Sequence, residues 1–180
     1  MAVYCTQTLA GIGKDCKANK GGIREAFICN YKEGIFQSSS GTVTGITSGV
    51  TFYPYVFNKN TGYFTSTLNV SAENGINYVS SEINLVFARM ESVKRAEIAA
   101  LSLGDLAMVI KDANNIYWAF GAEEAIRATA GSGQTGTART DANQYSITFT
   151  DESDSYPMTL SEEAVEALLT AVEDSTSIGG

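Results

Sequence analysis

The stretch GYFTSTLNVSAENGINYVSSEINLVFA, residues 62–88, constrains the fold more than any other part of the chain. Both of its halves alternate apolar and polar residues, as strands do when one face is buried and the other is exposed. Asn74-Gly75 lies between the halves and is a strong hairpin signal, because both residues tolerate positive φ. The polar face carries Thr65, Thr67, Asn69, Ser80, Glu82 and Asn84. The stretch therefore predicts a long β-hairpin with two different faces.

The register of this hairpin is predicted to be firm. The other face of its second strand is apolar, with Val79, Ile83, Leu85 and Phe87. A slip of one residue would expose these four side chains and bury Glu82. Burying an unpaired carboxylate costs several kcal/mol, so one register should dominate.

Other segments predict further strands and two helices. Residues 25–31, 50–57 and 144–150 are strand-like, and LAMVIKD pairs with IYWAFG as a second hairpin. Pro54 should confine its strand to an edge or a bend. Helical spacing covers residues 90–104, and TLSE, residues 159–162, resembles a capping box before a C-terminal amphipathic helix. Six to eight strands with two helices predict a mainly β fold, a β-sandwich or barrel with the mid-chain and C-terminal helices packed outside.

Charge and glycine content divide the chain into two parts. Residues 1–24 are polar and contain four glycines, so they predict an N-terminal arm, and residues 25–180 predict a single β-sandwich domain. The net charge is −8, yet the arm contains Lys14, Lys17 and Lys20, whereas residues 141–180 hold nine acidic residues and no Lys or Arg. The two ends could simply be solvated, or they could be complementary faces of a subunit that stacks head to tail.

Several kinds of chemical site find no support in the sequence. The absence of histidine removes His-based triads and His zinc sites, and the three cysteines, Cys5, Cys16 and Cys29, form no C-x-x-C. GSGQTG, residues 131–136, spells G-x-G-x-x-G, but no helical pattern follows it, so a flexible loop is expected. DESD, residues 151–154, lacks the spacing of a calcium loop and predicts a solvated turn. We expect no enzyme, no cofactor and no metal.

Two classes of function then remain open, a self-assembling structural protein and a monomeric β-sandwich that binds or adheres. The start of the chain shows no signal-peptide pattern, and no apolar run reaches the roughly 20 residues that cross a bilayer, so no membrane partner is expected. Adhesion modules usually carry a secretion signal. The long hairpin and the charge difference between the two ends of the chain favour self-assembly.

Two stretches carry a family resemblance. KDANNIYWAFG is followed by a Gly-rich loop, and GTARTDANQYSITFTDES is followed by Pro157. This part of the chain, residues 62–157, resembles bacteriophage tail tube (major tail) proteins, in particular those of phages that infect Bacteroides-type bacteria. The acidic C-terminal helix is not matched to that family, which leaves a head–tail connector ring as an alternative, and the inner tube of a contractile injection system uses the same fold.

The resemblance implies a homo-hexameric ring, with rings stacked into a tube in the virion tail after synthesis in the host cytoplasm. Its partners would be further copies of itself and other tail or head–tail connector proteins. The genome would pass through the lumen without specific binding, which suits a polar hairpin face without cations, because phosphate binding requires Lys and Arg. We therefore expect the six polar hairpin residues to line the lumen and Lys14, Lys17 and Lys20 to contribute to stacking between rings.

Overall fold

A computed structural model describes residues 9–58 and 61–172 of the chain. Residues 1–8 of the expected arm, including Cys5, and residues 173–180 lie outside the described residues. The described part is mainly β, as predicted. Its elements are β1 (Ile23–Asn30), β2 (Phe36–Ser39), β3 (Thr42–Ile46), β4 (Tyr53–Val56), β5 (Tyr63–Ser71), β6 (Ile76–Ala88), α1 (Ser92–Leu103), β7 (Leu106–Asp112), β8 (Tyr117–Phe120), β9 (Arg127–Gln134), β10 (Gln144–Ser153), β11 (Met158–Leu160) and α2 (Glu162–Ala171).

The larger sheet has seven strands in the order β2-β3-β11-β8-β7-β1-β4. Its central strand β7 is buried along Leu106–Ile110, because core side chains cover both faces of the sheet there. The predicted β7–β8 hairpin is present, with Asn115 at positive φ and the Asp112 carboxylate accepting from the backbone N–H groups of Asn114 and Ile116. β4 is an edge strand, as expected from Pro54.

The smaller sheet has four strands in the order β5-β6-β10-β9, and every neighbouring pair is antiparallel. β5 and β6 form the long predicted hairpin, with Phe64 opposite Ile83 and Thr65 opposite Glu82. The predicted faces are therefore correct. The turn differs in detail, since four residues, 72–75, close it and only Gly75 has positive φ.

One hydrophobic cluster joins the two sheets. Ile83 and Phe149 of the smaller sheet pack in it with Met108 and Phe120 of the larger one. The Phe64 ring lies 5.2 Å from the Phe120 ring and 5.8 Å from the Trp118 ring, centroid to centroid. A second cluster lies on the other face of the larger sheet, where α2 buries Ala164 and Leu168. The smaller sheet thus has one face that packs on the core and one facing away from it, and near the β5–β6 turn Leu68 and Val70 of the first face remain exposed.

Three local predictions were wrong. The Gly-rich stretch expected to be a loop is strand β9 as far as Gln134, because β10 pairs with it from Arg127 to Gln134 with one bulge at Thr129. The cap of α2 is Ser161, whose Oγ accepts from the Ala164 N–H, whereas Thr159 of the supposed capping box lies in β11. Asp151 of DESD is only 6% exposed, so it is not part of a solvated turn.

Candidate functional site: the four-stranded sheet and the arm

The face of the four-stranded sheet that points away from the core is polar. All six hairpin residues singled out in the sequence lie on it, with Thr65 directly opposite Glu82 and Thr67 directly opposite Ser80. Thr65, Thr67 and Glu82 are exposed, and Asn69, Ser80 and Asn84 are half-buried. The alternation in sequence therefore placed these residues on one surface, which we call the polar sheet face.

Hydrogen bonds between side chains cross the strands of the polar sheet face. The Asn84 Nδ2 donates to Ser146 Oγ at 3.0 Å and to Thr148 Oγ1 at 2.9 Å. The Tyr63 hydroxyl donates to Glu82 Oε1 at 3.1 Å, and this bond, together with the carboxylate charge, raises the pKa of Tyr63. These bonds hold short polar side chains flat against the sheet and leave a surface of hydroxyls and amides.

Strand β10 extends the polar sheet face by Ser146, Thr148, Thr150 and Glu152, which the sequence reasoning did not include. Thr148 lies opposite Asn84, and Thr150 opposite Glu82. The alternation of Tyr145, Ile147 and Phe149 with these residues was visible in the sequence. What the sequence did not show is that β10 pairs with β6.

The two outer strands of this sheet, β5 and β9, have no strand partner on their outer sides among the described residues. β5 is nine residues long and carries no charge, and β9 is eight residues long with Arg127 as its only charge, which is paired with Asp105. The edge strands of the larger sheet differ, since β2 and β4 have four residues each and β4 contains Pro54. Monomeric proteins usually shorten, charge or interrupt their edge strands, so β5 and β9 are unusually long for edge strands.

The arm is attached to the body at the turn of the β7–β8 hairpin. Asn114 Oδ1 accepts from the Lys20 N–H at 2.8 Å, while its Nδ2 donates to Asn19 Oδ1 and to the Lys20 carbonyl. The Ala113 N–H donates to the Gly22 carbonyl at 3.0 Å. Residues 9–20 are all exposed, and within the described chain Lys14, Lys17 and Lys20 form no salt bridge.

A group of acidic residues lies next to the C-terminal end of β8, opposite the end at which the arm is attached. Glu123 Oε2 accepts from the Asp154 N–H at 3.0 Å, and Asp151 Oδ1 accepts from the Gly121 N–H at 3.2 Å. The pKa of Asp151 is raised to about 6, mainly by burial; the Gly121 hydrogen bond opposes this rise, and the charges of Glu123, Glu124 and Glu152 add to it. The basic arm and the acidic residues are therefore separated by the length of the β7–β8 hairpin.

Comparison with known proteins gives no relative. No family model, curated protein or solved structure matches the chain. Over the residues that the structure describes, no helix has the length and apolar character needed to span a membrane.

Proposed function

We propose that this chain is a virion structural protein whose copies form rings through the four-stranded sheet, and whose rings stack into a phage tail tube. The observation that carries the proposal is an antiparallel sheet with one polar face and two long, different edge strands that have no strand partner on their outer sides among the described residues. The resemblance of residues 62–157 to tail tube proteins supports the same function.

The two edges favour ring closure over dimer formation. Pairing β5 of one copy with β9 of the next is a head-to-tail contact, and such contacts close into rings when the rotation between copies allows it. The four strands alternate in direction, so β5 and β9 run opposite ways. If the neighbouring copy has the same orientation, its β9 pairs antiparallel with β5, and all neighbouring strands around the ring are antiparallel.

The polar sheet face would then form the wall of the lumen, because the opposite face is buried in the body of the subunit. Six copies of a four-stranded sheet provide 24 strands, and closed sheets of about 16 to 18 strands already enclose an aqueous channel. The wall would carry hydroxyls and amides with Glu82 and Glu152. Such a surface repels phosphate, so duplex DNA would slide through without binding.

Stacking of the rings would use the separation of charges along the subunit. Lys14, Lys17 and Lys20 of one ring would face the acidic residues beyond β8, or those of α2, in the next ring. Each exposed ion pair contributes only about 0–1 kcal/mol, yet a ring repeats every pair around its circumference.

Negative-stain electron microscopy of the purified protein tests the proposal. We expect rings and tubes at high protein concentration. Closed rings that never stack would favour a head–tail connector ring instead. A monomer of about 19 kDa at every concentration and salt, measured by sedimentation, would refute self-assembly.

A further inference from the structure

A shallow groove runs along the free edge of the four-stranded sheet, between α1 and β9. Its volume is about 420 Å³, and its lining includes Ile98, Ser102, Ala128, Gly131 and Ile147. A Cβ added at Gly131 would have one heavy atom within 4 Å, the Ser146 carbonyl oxygen at 3.3 Å. The groove is thus mainly apolar, and it faces the side of the sheet that bears the core.

The arm carries two large apolar side chains that the described part of their own subunit leaves uncovered. Leu9 is 90% exposed and Ile12 is fully exposed. Among the described residues the arm is held to the body at its root, where Asn114 bonds to Asn19 and Lys20. Two large aliphatic side chains on an otherwise polar arm gain free energy when a second surface covers them.

The root of the arm lies at the β5 edge of the four-stranded sheet, and the groove lies at its β9 edge. Both are on the core-facing side of the sheet and at the same position along the strands. Ile23 follows the root, is buried in the shared core and donates its N–H to the Gly62 carbonyl, next to the start of β5. The pairing registers form one row from Tyr63 through Asn84 and Thr148 to Ala130 at the groove. Within one subunit the shared core separates the arm from its own groove.

We infer that Leu9 and Ile12 of one copy dock in the groove between α1 and β9 of the neighbouring copy in the ring. This inference rests on the proposed function, since pairing of β5 with the neighbour's β9 brings the arm root beside that groove. The seven residues from Ile12 to Asn19, where the arm is held, can span up to about 25 Å, which bridges an offset of several residues between the paired strands. The docked arm leaves Lys14 and Lys17 between the subunits, still available for stacking.

Disulfide trapping tests the inference on the full chain, with Cys5 and Cys16 replaced by Ser. The buried Cys29, whose pKa burial raises to about 12, stays in place. One chain carries Ile12→Cys and a second carries Ser102→Cys, and the two are mixed, assembled and oxidised. We expect a covalent dimer in the rings. The matched control pairs Ile12→Cys with Ser39→Cys on β2, an exposed site away from the groove.

The outcomes separate this inference from the proposed function. Rings that form with no more Ile12–Ser102 dimer than in the control would overturn the docking and leave ring assembly standing. An absence of rings would overturn both. As a second measurement, the Leu9→Asp, Ile12→Asp double variant should need at least about tenfold more protein to form rings. An unchanged assembly concentration would also overturn the inference.

Discussion

Asp151 Oδ1 accepts a hydrogen bond from the backbone N–H of Gly121 at 3.2 Å, and this bond joins the two sheets. Gly121 has a φ of +77°, and a Cβ there would lie 3.1 Å from the Ala107 Cα and the Leu106 carbonyl oxygen. Glycine is therefore required at this position, which brings the backbone N–H close enough to the buried carboxylate. Asp151 is nevertheless only singly bonded among the described contacts and surrounded by other acids.

Asp151→Asn should stabilise the subunit at neutral pH. The pKa of Asp151 is about 6 in the folded chain against an ordinary 3.8, so the folded state holds this proton more tightly than the unfolded state. The contribution of this proton to the free energy of unfolding is complete below about pH 4 and is lost as the pH rises through 6. Asn keeps an oxygen acceptor for Gly121 and carries no charge. We expect a gain of up to about 3 kcal/mol at pH 7.5 that disappears near pH 4.

Urea unfolding of both proteins across this pH range measures the effect, with the single Trp118 as a fluorescent probe. Glu152→Gln is the control, because it removes a neighbouring exposed charge and leaves the buried carboxyl in place. Equal stability of Asp151→Asn and the parent protein at pH 7.5 would show that burial of Asp151 carries no penalty.

Val70→Lys should block ring formation. Val70 is 66% exposed on β5, where a lysine would place a charge at the edge that we propose pairs with the next copy. The matched control is Val56→Lys, which puts the same residue on a 78% exposed valine of β4, the edge strand of the other sheet. Analytical ultracentrifugation should show subunits for the first variant and rings for the second. Rings from both variants would exclude the β5 edge from assembly.

Glu82→Lys should leave assembly intact and make the tube bind DNA. The substitution replaces a ring of negative charge with a ring of positive charge on the polar sheet face, and phosphate contacts then become favourable. Affinity should fall steeply as salt rises. Glu33→Lys makes the same change on an exposed loop outside that sheet and should leave binding unaltered. Assembled tubes of Glu82→Lys that bind no more DNA than the control would place the polar sheet face outside the lumen.

Replacing Lys14, Lys17 and Lys20 with Glu should shorten or abolish tubes while the rings persist. The arm would then oppose the acidic surface of the next ring with like charge. Tube length in electron micrographs at moderate salt measures the effect, and circular dichroism checks that the subunit stays folded. The corresponding Gln variant removes the charge without reversing it, so its tubes should be of intermediate length. Tubes of unchanged length in the Glu variant would remove the arm from stacking.

The sequence predicted the β5–β6 hairpin better than the other two strands of the smaller sheet, for a physical reason. Apolar and polar residues that alternate with period two show which face of a strand is buried. The six polar residues of the hairpin were therefore assigned to the correct face. Strand β9 was missed because glycine and serine have little strand preference, and only the ladder with β10 makes that segment extended. Asp151 was missed because its burial depends on Gly121, which is 30 residues away in the chain and in the other sheet.

The even number of strands in the smaller sheet has a consequence for how such an assembly could change size. Because every copy begins with a strand in one direction and ends with a strand in the other, copies can be added without altering a single backbone pairing rule. The pairing of the strands therefore does not fix the number of copies in a ring. In the proposed ring, the angle between adjacent copies would come from side chains and loops beside the strands, so substitutions there would change the width of the proposed channel while the backbone pairing stays constant.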